Sequence, residues 1–226
     1  YNMLKHAAPP AEFSQKDFVI ALCPVFAGRL PAHAADSLKK WKGGRSLALA
    51  AVVYGNRDYD DALLELSDLL EAQDFCLAGA AALVAQHSIF PKTAQGRPDE
   101  GDKMKFSFFL LQILQKLSSC KTSADLSALS VPGNRPYKDV SGVRIPLKPQ
   151  TSSKCNNCGL CSKLCPVQAI DPRNPRITNG EICISCTACI ANCPTHARKF
   201  PAFKHWVGQK AFCKQNSLRK EPEFFL

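Results

Sequence analysis

Long apolar runs are missing from this sequence, and none of its hydrophobic segments is long enough to cross a bilayer. No signal peptide is recognisable, and the chain begins with Tyr1 in place of Met, so we expect a segment upstream of it. The sequence also lacks a Gly-x-Gly-x-x-Gly nicotinamide fingerprint, the C-x3-C-x2-C motif of radical enzymes and a nucleophile–base pair. These absences argue against a membrane-spanning protein and against most substrate-specific enzymes.

Cysteine, by contrast, is abundant and unevenly distributed. Eight of the twelve cysteines lie between positions 155 and 193, in two copies of the pattern C-x2-C-x2-C-x3-C-P whose equivalent positions are 28 residues apart. Three closely spaced thiolates can surround one face of an iron–sulfur cube, while the cysteine before proline points toward a second cube. The spacing therefore predicts two 4Fe–4S clusters, and it resembles the bacterial two-cluster ferredoxins over about residues 151–200.

Each predicted cluster takes three cysteines from one copy and the fourth from the other. The alternative is a pair of tetrahedral zinc sites, which would use two close pairs and leave the third cysteine and the Cys-Pro of each copy unexplained. Ligation of iron by reduced thiolates predicts a cytoplasmic protein. The two predicted ligand groups are set I, Cys155, Cys158, Cys161 and Cys193, and set II, Cys183, Cys186, Cys189 and Cys165.

Basic residues outnumber acidic ones only in the second half of the chain. Residues 1–120 carry 13 of each sign, whereas residues 121–226 carry 16 Lys and Arg against 6 Asp and Glu. One interpretation is that the excess offsets the negative charge of the clusters, and the other is a docking face for an acidic redox protein. Because no basic helix or aromatic platform accompanies the charge, we predict redox protein partners and no nucleic acid.

The first half of the chain alternates apolar runs with amphipathic segments. The runs at residues 17–23, 46–53 and 75–84 have the unbroken apolar character of strands that are buried on both faces. Helices are predicted at about residues 31–42, 60–71 and 103–118, where apolar residues recur at helical spacing. This alternation predicts an α/β fold with a parallel sheet, and ligands of such sheets bind at the carboxyl ends of the strands.

The loops after the first two predicted strands each combine an aromatic residue with a glycine. An aromatic face for stacking and a backbone that glycine leaves accessible suit a planar cofactor. These loops resemble those of the flavodoxin–ferredoxin fusion proteins of anaerobes, and the likeness extends over nearly the whole chain. The segments that carry it are Pro24-Val-Phe-Ala-Gly-Arg-Leu-Pro31, Tyr54-Gly-Asn-Arg-Asp-Tyr-Asp-Asp61-Ala-Leu63, Gln86-His87-Ser88 and Arg219–Leu226.

The resemblance implies a flavodoxin-like domain that binds FMN next to the two-cluster ferredoxin. The chain departs from that family at its start, because the first strand and the Ser/Thr/Gly/Asn-rich loop for the FMN phosphate do not occur, which leaves the flank of the strand at 17–23 unpaired. We expect the missing segment upstream of Tyr1; the alternative is weak FMN binding or none. The implied flavin-binding residues are Pro24, Phe26, Gly28, Tyr54, Gly55, Asn56, Arg57, Tyr59, Asp60 and His87.

We divide the chain into an incomplete flavodoxin-like domain at 1–118, a proline-containing linker at 119–150, the ferredoxin domain at 151–200 and a helix with a tail at 201–226. Residues 169–171 and 176–178 predict two short strands within the ferredoxin domain. The apolar face of the last helix, with Phe203, Trp206, Val207 and Phe212, is predicted to pack at the domain boundary. We also expect the terminal Phe224-Phe225-Leu226 to dock back onto the protein.

The function implied by this organisation is electron transfer between the two clusters and an FMN. Two alternatives stay open. One is a flavin-dependent reductase whose small substrate binds in a pocket formed by Tyr54, Arg57 and His87. The other is a ferredoxin whose flavodoxin-like part has no flavin and only docks a partner.

Overall fold

The computed structural model describes residues 12–120, 126, 128–143 and 147–226, and it divides the chain into two compact units. The first, the α/β unit, contains the described residues up to His87, those between Ala94 and Gly142, and the terminal segment Leu218–Leu226. The second, the cysteine unit, contains Ser88–Thr93 and Val143–Ser217. Each unit is therefore assembled from segments that are distant in sequence.

Three parallel strands form the centre of the α/β unit. They are β1 (Phe18–Pro24), β2 (Leu47–Tyr54) and β3 (Cys76–Val84), and they lie in the order in which they occur in the chain. The side chains of β2 and β3 are almost all buried, as continuous apolar runs predict for a parallel sheet. The prediction of an α/β fold with parallel strands is thus confirmed.

Helices cover both faces of this sheet. Helix α1 (Ala32–Leu38) ends earlier than predicted, and Trp41 after it packs against Phe75 with ring centroids 6.3 Å apart. Helix α2 (Ala62–Ala72) buries a leucine stripe, as its periodicity predicts. Helix α3 (Glu100–Ser119) begins at a capping box, in which Asp99 and Asp102 each accept a hydrogen bond from the other's backbone N–H.

A fourth strand, β6 (Glu223–Phe225), completes the described sheet from the other end of the chain. It pairs antiparallel with β3, with Phe224 opposite Ala81. The terminal segment therefore docks onto the α/β unit, which confirms that expectation for Phe224 and Phe225. The opposite edge is open within the described residues, because β1 pairs only with β2 and its Phe18, Ile20 and Leu22 are 43, 52 and 53% exposed.

The cysteine unit has little regular structure. Its two-residue strands β4 (Gln150–Thr151) and β5 (Arg198–Lys199) pair antiparallel, and its helices are α4 (Leu160–Lys163), α5 (Ala188–Ala191) and α6 (Ala202–Gln215). The two strands predicted at 169–171 and 176–178 are wrong, since a single bridge joins Ile170 to Thr178 there. The sheet forms instead from residues that flank the cysteine repeat.

In the described structure, helix α6 packs against the rest of the cysteine unit through one of its faces. Its His205 Nε2 lies 2.6 Å from the carbonyl oxygen of Ile89, and its Phe212 packs on Phe90 with centroids 5.0 Å apart. Three residues that were predicted to pack are instead exposed, Phe203, Trp206 and Val207. No helix within the described parts of the chain is long and apolar enough to cross a membrane.

Candidate metal centre

The two cysteine loops adopt the same backbone conformation at equivalent positions. Asn157 and Ser185 have φ angles of 56° and 55°, and Gly159 and Thr187 have φ angles of 73° and 65°. A single helical turn follows in each copy. Left-handed backbone is unfavourable for residues other than glycine, so its recurrence at the same spacing indicates that both loops require one shape. The sequence repeat is therefore a structural repeat as well.

Backbone amides point at the sulfur of both cysteines that precede proline. Ala169 N–H donates to Cys165 Sγ over 3.1 Å, and Ala197 N–H donates to Cys193 Sγ over 3.2 Å. Each donor lies four residues after its cysteine. Such N–H···S hydrogen bonds stabilise the thiolate and raise the reduction potential of an iron–sulfur site. The loop after each Cys-Pro is therefore shaped to serve a ligating sulfur.

The cysteines of set II line one cavity. The enclosed space is small, about 20 Å³. Cys165 reaches it from the first copy of the motif, and the other three members reach it from the second. The remaining lining is mostly apolar, which lowers the local dielectric around anything bound there. This lining consists of Pro149, Val167, Ala169, Ile170, Thr178, Ile184, Ser185, Thr187, Ala188 and Arg198.

Set I lies in a more open part of the unit. Cys158 is exposed, whereas Cys155, Cys161 and Cys193 are half-buried. Burial raises the pKa of the Cys161 thiol. A negative charge on the nearby Cys155 sulfur raises the same pKa further, by a smaller amount. Set I is therefore more open to solvent than set II, of which Cys189 is buried.

The spacing of the cysteines bears on the choice between zinc and a cluster. Among the described residues, no three side chains of the metal-binding types are grouped closely enough to hold one metal ion. A tetrahedral zinc ion with Zn–S distances of about 2.3 Å would draw its sulfurs to within about 4 Å of one another. The cysteines of set II line one shared space and are not grouped as the ligands of a single ion would be.

The pKa of one cysteine is shifted in the opposite direction from the others. Burial raises the pKa of Cys186 and of Cys189, as it does for Cys161. For Cys193, burial also acts to raise the pKa, but hydrogen bonds from the Arg198 backbone and from Thr195 outweigh it and lower the pKa. The environment of Cys193 therefore favours the thiolate.

Sequence reasoning missed one residue of this site, Arg198. Its side chain is buried, with 3% of the residue exposed, and it lines the set II cavity. Arg198 is five residues beyond Cys193, and the equivalent position of the first copy is Ile170. That break in the repeat is the sequence signal that could have identified it.

The predicted flavin loops do lie together at the carboxyl edge of the α/β sheet. Pro24 and Tyr54 end neighbouring strands, which pair at Pro24 and Val53. A Cβ at Gly28 would overlap the Asp60 carboxylate, and one at Gly55 would overlap the His87 ring. Both glycines therefore make room for the protein's own side chains. Phe26 pairs with Arg29 inside its own loop.

The terminal segment occupies the polar groups of the second loop. Asn56 Nδ2 donates to Leu218 O over 2.8 Å, and Asn56 Oδ1 accepts from Lys220 N over 3.2 Å. Tyr59 Oη donates to Glu223 Oε2 over 2.8 Å. Burial is the main cause that raises the pKa of Tyr59 above its ordinary range. Asn56 and Tyr59 therefore bind the terminal segment and do not line an empty pocket.

The predicted flavin residues do not fit a flavin in this arrangement. Arg57 forms an ion pair with Asp60, and Lys138 Nζ contacts the same carboxylate at 3.0 Å. The open cleft next to them measures about 410 Å³ and contains none of the predicted aromatic residues. The cleft is lined by Asp60, Asp61, Gly133, Asn134, Pro136 and Lys138. In this arrangement the cleft therefore offers a flavin charged and polar groups and no aromatic ring to stack on.

Comparison with known proteins supports the cysteine unit. Residues 154–198 match the 4Fe-4S dicluster domain family. Over 117 residues the chain is 28% identical to the thiosulfate reductase electron transfer subunit PhsB of Salmonella typhi, an alignment that covers 45% of this chain and 58% of that protein. The chain thus spans less than two thirds of the length of this relative. Both findings support 4Fe–4S binding and electron transfer, and neither shows a flavodoxin fusion.

Proposed function

We propose that this protein is a one-electron carrier that holds two 4Fe–4S clusters, one ligated by set I and one by set II. The cavity of set II is the observation that supports it most directly. Its cysteines come from both copies of the motif, since Cys165 joins the three of the second copy. This exchange of the fourth cysteine is the arrangement that two adjacent cubes require.

The residues of the chain supply shielding and hydrogen bonds. When bound, a 4Fe–4S cluster accepts and releases single electrons with little structural change. Val167, Ile170 and Ile184 keep water away from the set II cavity. The N–H groups of Ala169 and Ala197 hold the two sulfurs that cross between the copies. The protein thus fixes where the electron resides and at what potential.

The partners that we propose are redox proteins with an acidic docking surface. Residues 121–226 carry the basic excess of the chain, and among them Lys154, Lys163 and Arg173, which are near the first cysteine motif in the sequence, are exposed. The relative from Salmonella typhi is named an electron transfer subunit. Such a subunit passes electrons to or from a separate catalytic protein. A reduced partner would lose one electron to this chain, and an oxidised partner would gain it.

For the α/β unit we propose docking without a bound flavin. The contacts of Asn56 and Tyr59 with the terminal segment favour this alternative over the FMN site that the family resemblance implies. They also disfavour a substrate pocket, because Arg57 is paired with Asp60 and His87 packs against Gly55. The parallel strands are consistent with a flavodoxin-like domain, and that assignment stays a prediction.

The proposal is tested by reductive titration of anaerobically purified protein. A two-cluster carrier takes up about two electrons per chain, and the visible absorbance bleaches and returns on reoxidation. It reduces a one-electron acceptor protein but does not turn over small organic acceptors. Uptake of no electrons, or flavin-dependent turnover of an organic acceptor, would contradict the carrier function. FMN released on denaturation would contradict the flavin-free α/β unit alone.

A further inference from the structure

Arg198 is a buried cation whose described side-chain partners include no carboxylate. Its Nη1 donates to Thr151 Oγ1 over 2.7 Å and to Pro175 O over 3.3 Å, and its Nη2 donates to Thr178 Oγ1 over 2.6 Å. These partners are two hydroxyls and a carbonyl, so they position the guanidinium without neutralising it. A buried charge normally requires a counter-charge. Arg198 must find its counter-charge elsewhere.

One nitrogen of Arg198 has no acceptor in the described structure. Its Nε–H is fully buried, and no hydrogen-bond partner is found for it within the described residues. A buried N–H that lacks an acceptor costs about 1–3 kcal/mol, and more when the group is charged. The side chain lines the set II cavity. An anionic, sulfur-rich occupant of that cavity would supply the missing counter-charge.

The guanidinium also lies on a continuous path between the two cysteine sets. Arg198 Nη2 is 3.8 Å from Cys189 Sγ of set II. On the other side, the carbonyl oxygen of Pro175 accepts from Arg198 Nη1 and lies 3.9 Å from Cys161 Sγ of set I. The guanidinium therefore contacts a cysteine of set II directly and reaches a cysteine of set I through the Pro175 carbonyl.

We propose that Arg198 is the redox-tuning residue shared by the two cluster sites: its fixed guanidinium stabilises an added electron on either cluster and raises both reduction potentials. This inference rests on the two-cluster function proposed above. Transfer between the sites moves one electron, so that one site is oxidised and the other reduced, and no proton is required. Because the cation is shared, its stabilisation is not lost when the electron crosses.

The first copy of the motif has no cation of its own at the equivalent position. Ile170 stands there, and it is buried in the same unit. A single shared arginine acts on both potentials together and keeps them close to each other. Two independent surface charges would not do this, because solvent and salt screen exposed charges. Arg176 provides the comparison: its Nη2 donates to Cys155 O over 2.8 Å, next to set I, but the residue is exposed.

The test is a potentiometric titration followed by electron paramagnetic resonance, on full-length protein with both clusters present. Arg198→Gln removes the charge, and we expect reduction of both clusters to become about tenfold less favourable, a downward shift of about 59 mV for a one-electron step. Arg176→Gln is the matched control, with a smaller shift that is confined to one cluster. Iron and sulfide contents are measured in every sample, so that loss of a cluster is distinguished from a change in its potential.

Four outcomes are decisive. Unchanged potentials in an Arg198→Gln protein with full iron content would overturn the role of Arg198 and leave the carrier function intact, and so would a shift of one cluster only. Wild-type protein without two clusters would overturn the carrier function itself. If Arg198→Gln does not fold, Arg198→Lys keeps the positive charge, and we then expect both potentials to stay close to those of the wild type. A fall of about 59 mV in both potentials of that variant would contradict the proposal.

Discussion

The ring of Phe224 stacks on the ring of Phe109, with centroids 4.7 Å apart and planes inclined by 28°. Phe109 is 1% exposed and lies in the cluster of α3 and sheet side chains that forms this part of the core. The terminal strand is thus part of the α/β core, although the whole cysteine repeat separates it from α3 in the sequence. The stability of the α/β unit should therefore depend on this segment.

Phe224→Ala is expected to destabilise the α/β unit by about 2 kcal/mol, less than the roughly 3–5 kcal/mol typical of a fully buried phenylalanine. The loss follows from the contacts with Phe109 and Phe106. Urea unfolding followed by Trp41 fluorescence measures it, in a Trp206→Phe background that leaves one of the two tryptophans. Leu226→Ala is the control, because Leu226 is 47% exposed. Equal stability of the two variants would show that β6 contributes nothing.

The buried ion pair of Arg97 and Asp102 joins the start of α3 to the terminal segment. Their side chains are 5% and 6% exposed, and Arg97 Nη1 also donates to Lys220 O over 3.1 Å. Arg97→Met should cost about 3 kcal/mol, since it leaves the buried Asp102 carboxylate with only the more distant Arg219 Nη2, 3.6 Å from its Oδ1.

The double variant Arg97→Met/Asp102→Asn separates charge from packing. The substituted amide is neutral, and its oxygen could still accept a hydrogen bond from the N–H of Asp99. We therefore expect the second substitution to recover a large part of the stability that Arg97→Met loses. Both variants are measured by the same fluorescence-detected unfolding. If the double variant is as unstable as the single one, the loss comes from packing and not from an uncompensated charge.

Cys186→Ala should remove the set II cluster and loosen the cysteine unit, because so small a unit depends on its metal sites for folding. We expect about half of the iron and sulfide to be lost and the melting temperature of the remaining absorbance to fall. Cys120→Ala is the matched control, since Cys120 lies outside both motif copies. Full visible absorbance with wild-type melting in Cys186→Ala would show that the ligand assignment is wrong.

His87 should make the α/β unit less stable in mild acid. Burial lowers its pKa from the ordinary value of 6.5 to about 4. Below pH 6.5 the unfolded chain therefore takes up a proton that the folded chain refuses, and stability falls until the pH reaches about 4. The full shift corresponds to about 3 kcal/mol, and partial exposure of the ring reduces this value.

The measurement is the free energy of unfolding of the α/β unit, followed by Trp41 fluorescence, between about pH 7 and about pH 4. His87→Gln should flatten the dependence on pH, because glutamine does not titrate in this range. His196→Gln, which changes an exposed histidine, should leave it unaltered. A slope in His87→Gln equal to that of the wild type would assign the acid sensitivity to other groups.

The sequence was most informative where chemistry dictates spacing. Three cysteines in seven residues can be arranged in few ways, so the crossing of Cys165 into the other copy could be anticipated before its cavity was seen. The parallel strands were predictable for a similar reason, because a continuous apolar run favours burial on both faces, as β2 and β3 show. The prediction that β1 is buried on both faces was wrong, since one of its faces is exposed in the described structure.

Features that depend on distant partners were not predictable. The strands β4 and β5 pair Thr151 with Arg198, and nothing local marks two-residue segments as partners. The terminal Phe224 was expected to dock, but its place next to β3 is a long-range contact. Asn56 and Tyr59 were interpreted as flavin ligands from their loop, whereas in the structure they bind the terminal segment. The role of Arg198 was not predicted, because it depends on the burial of this residue in the folded unit.

The central claim is that the paired cysteine sets hold two 4Fe–4S clusters, and elemental analysis of anaerobically purified full-length protein tests it most directly. The prediction is about eight iron atoms and about eight acid-labile sulfides per chain. About two zinc ions per chain, with neither iron nor sulfide, would contradict it and restore the zinc interpretation of the repeat.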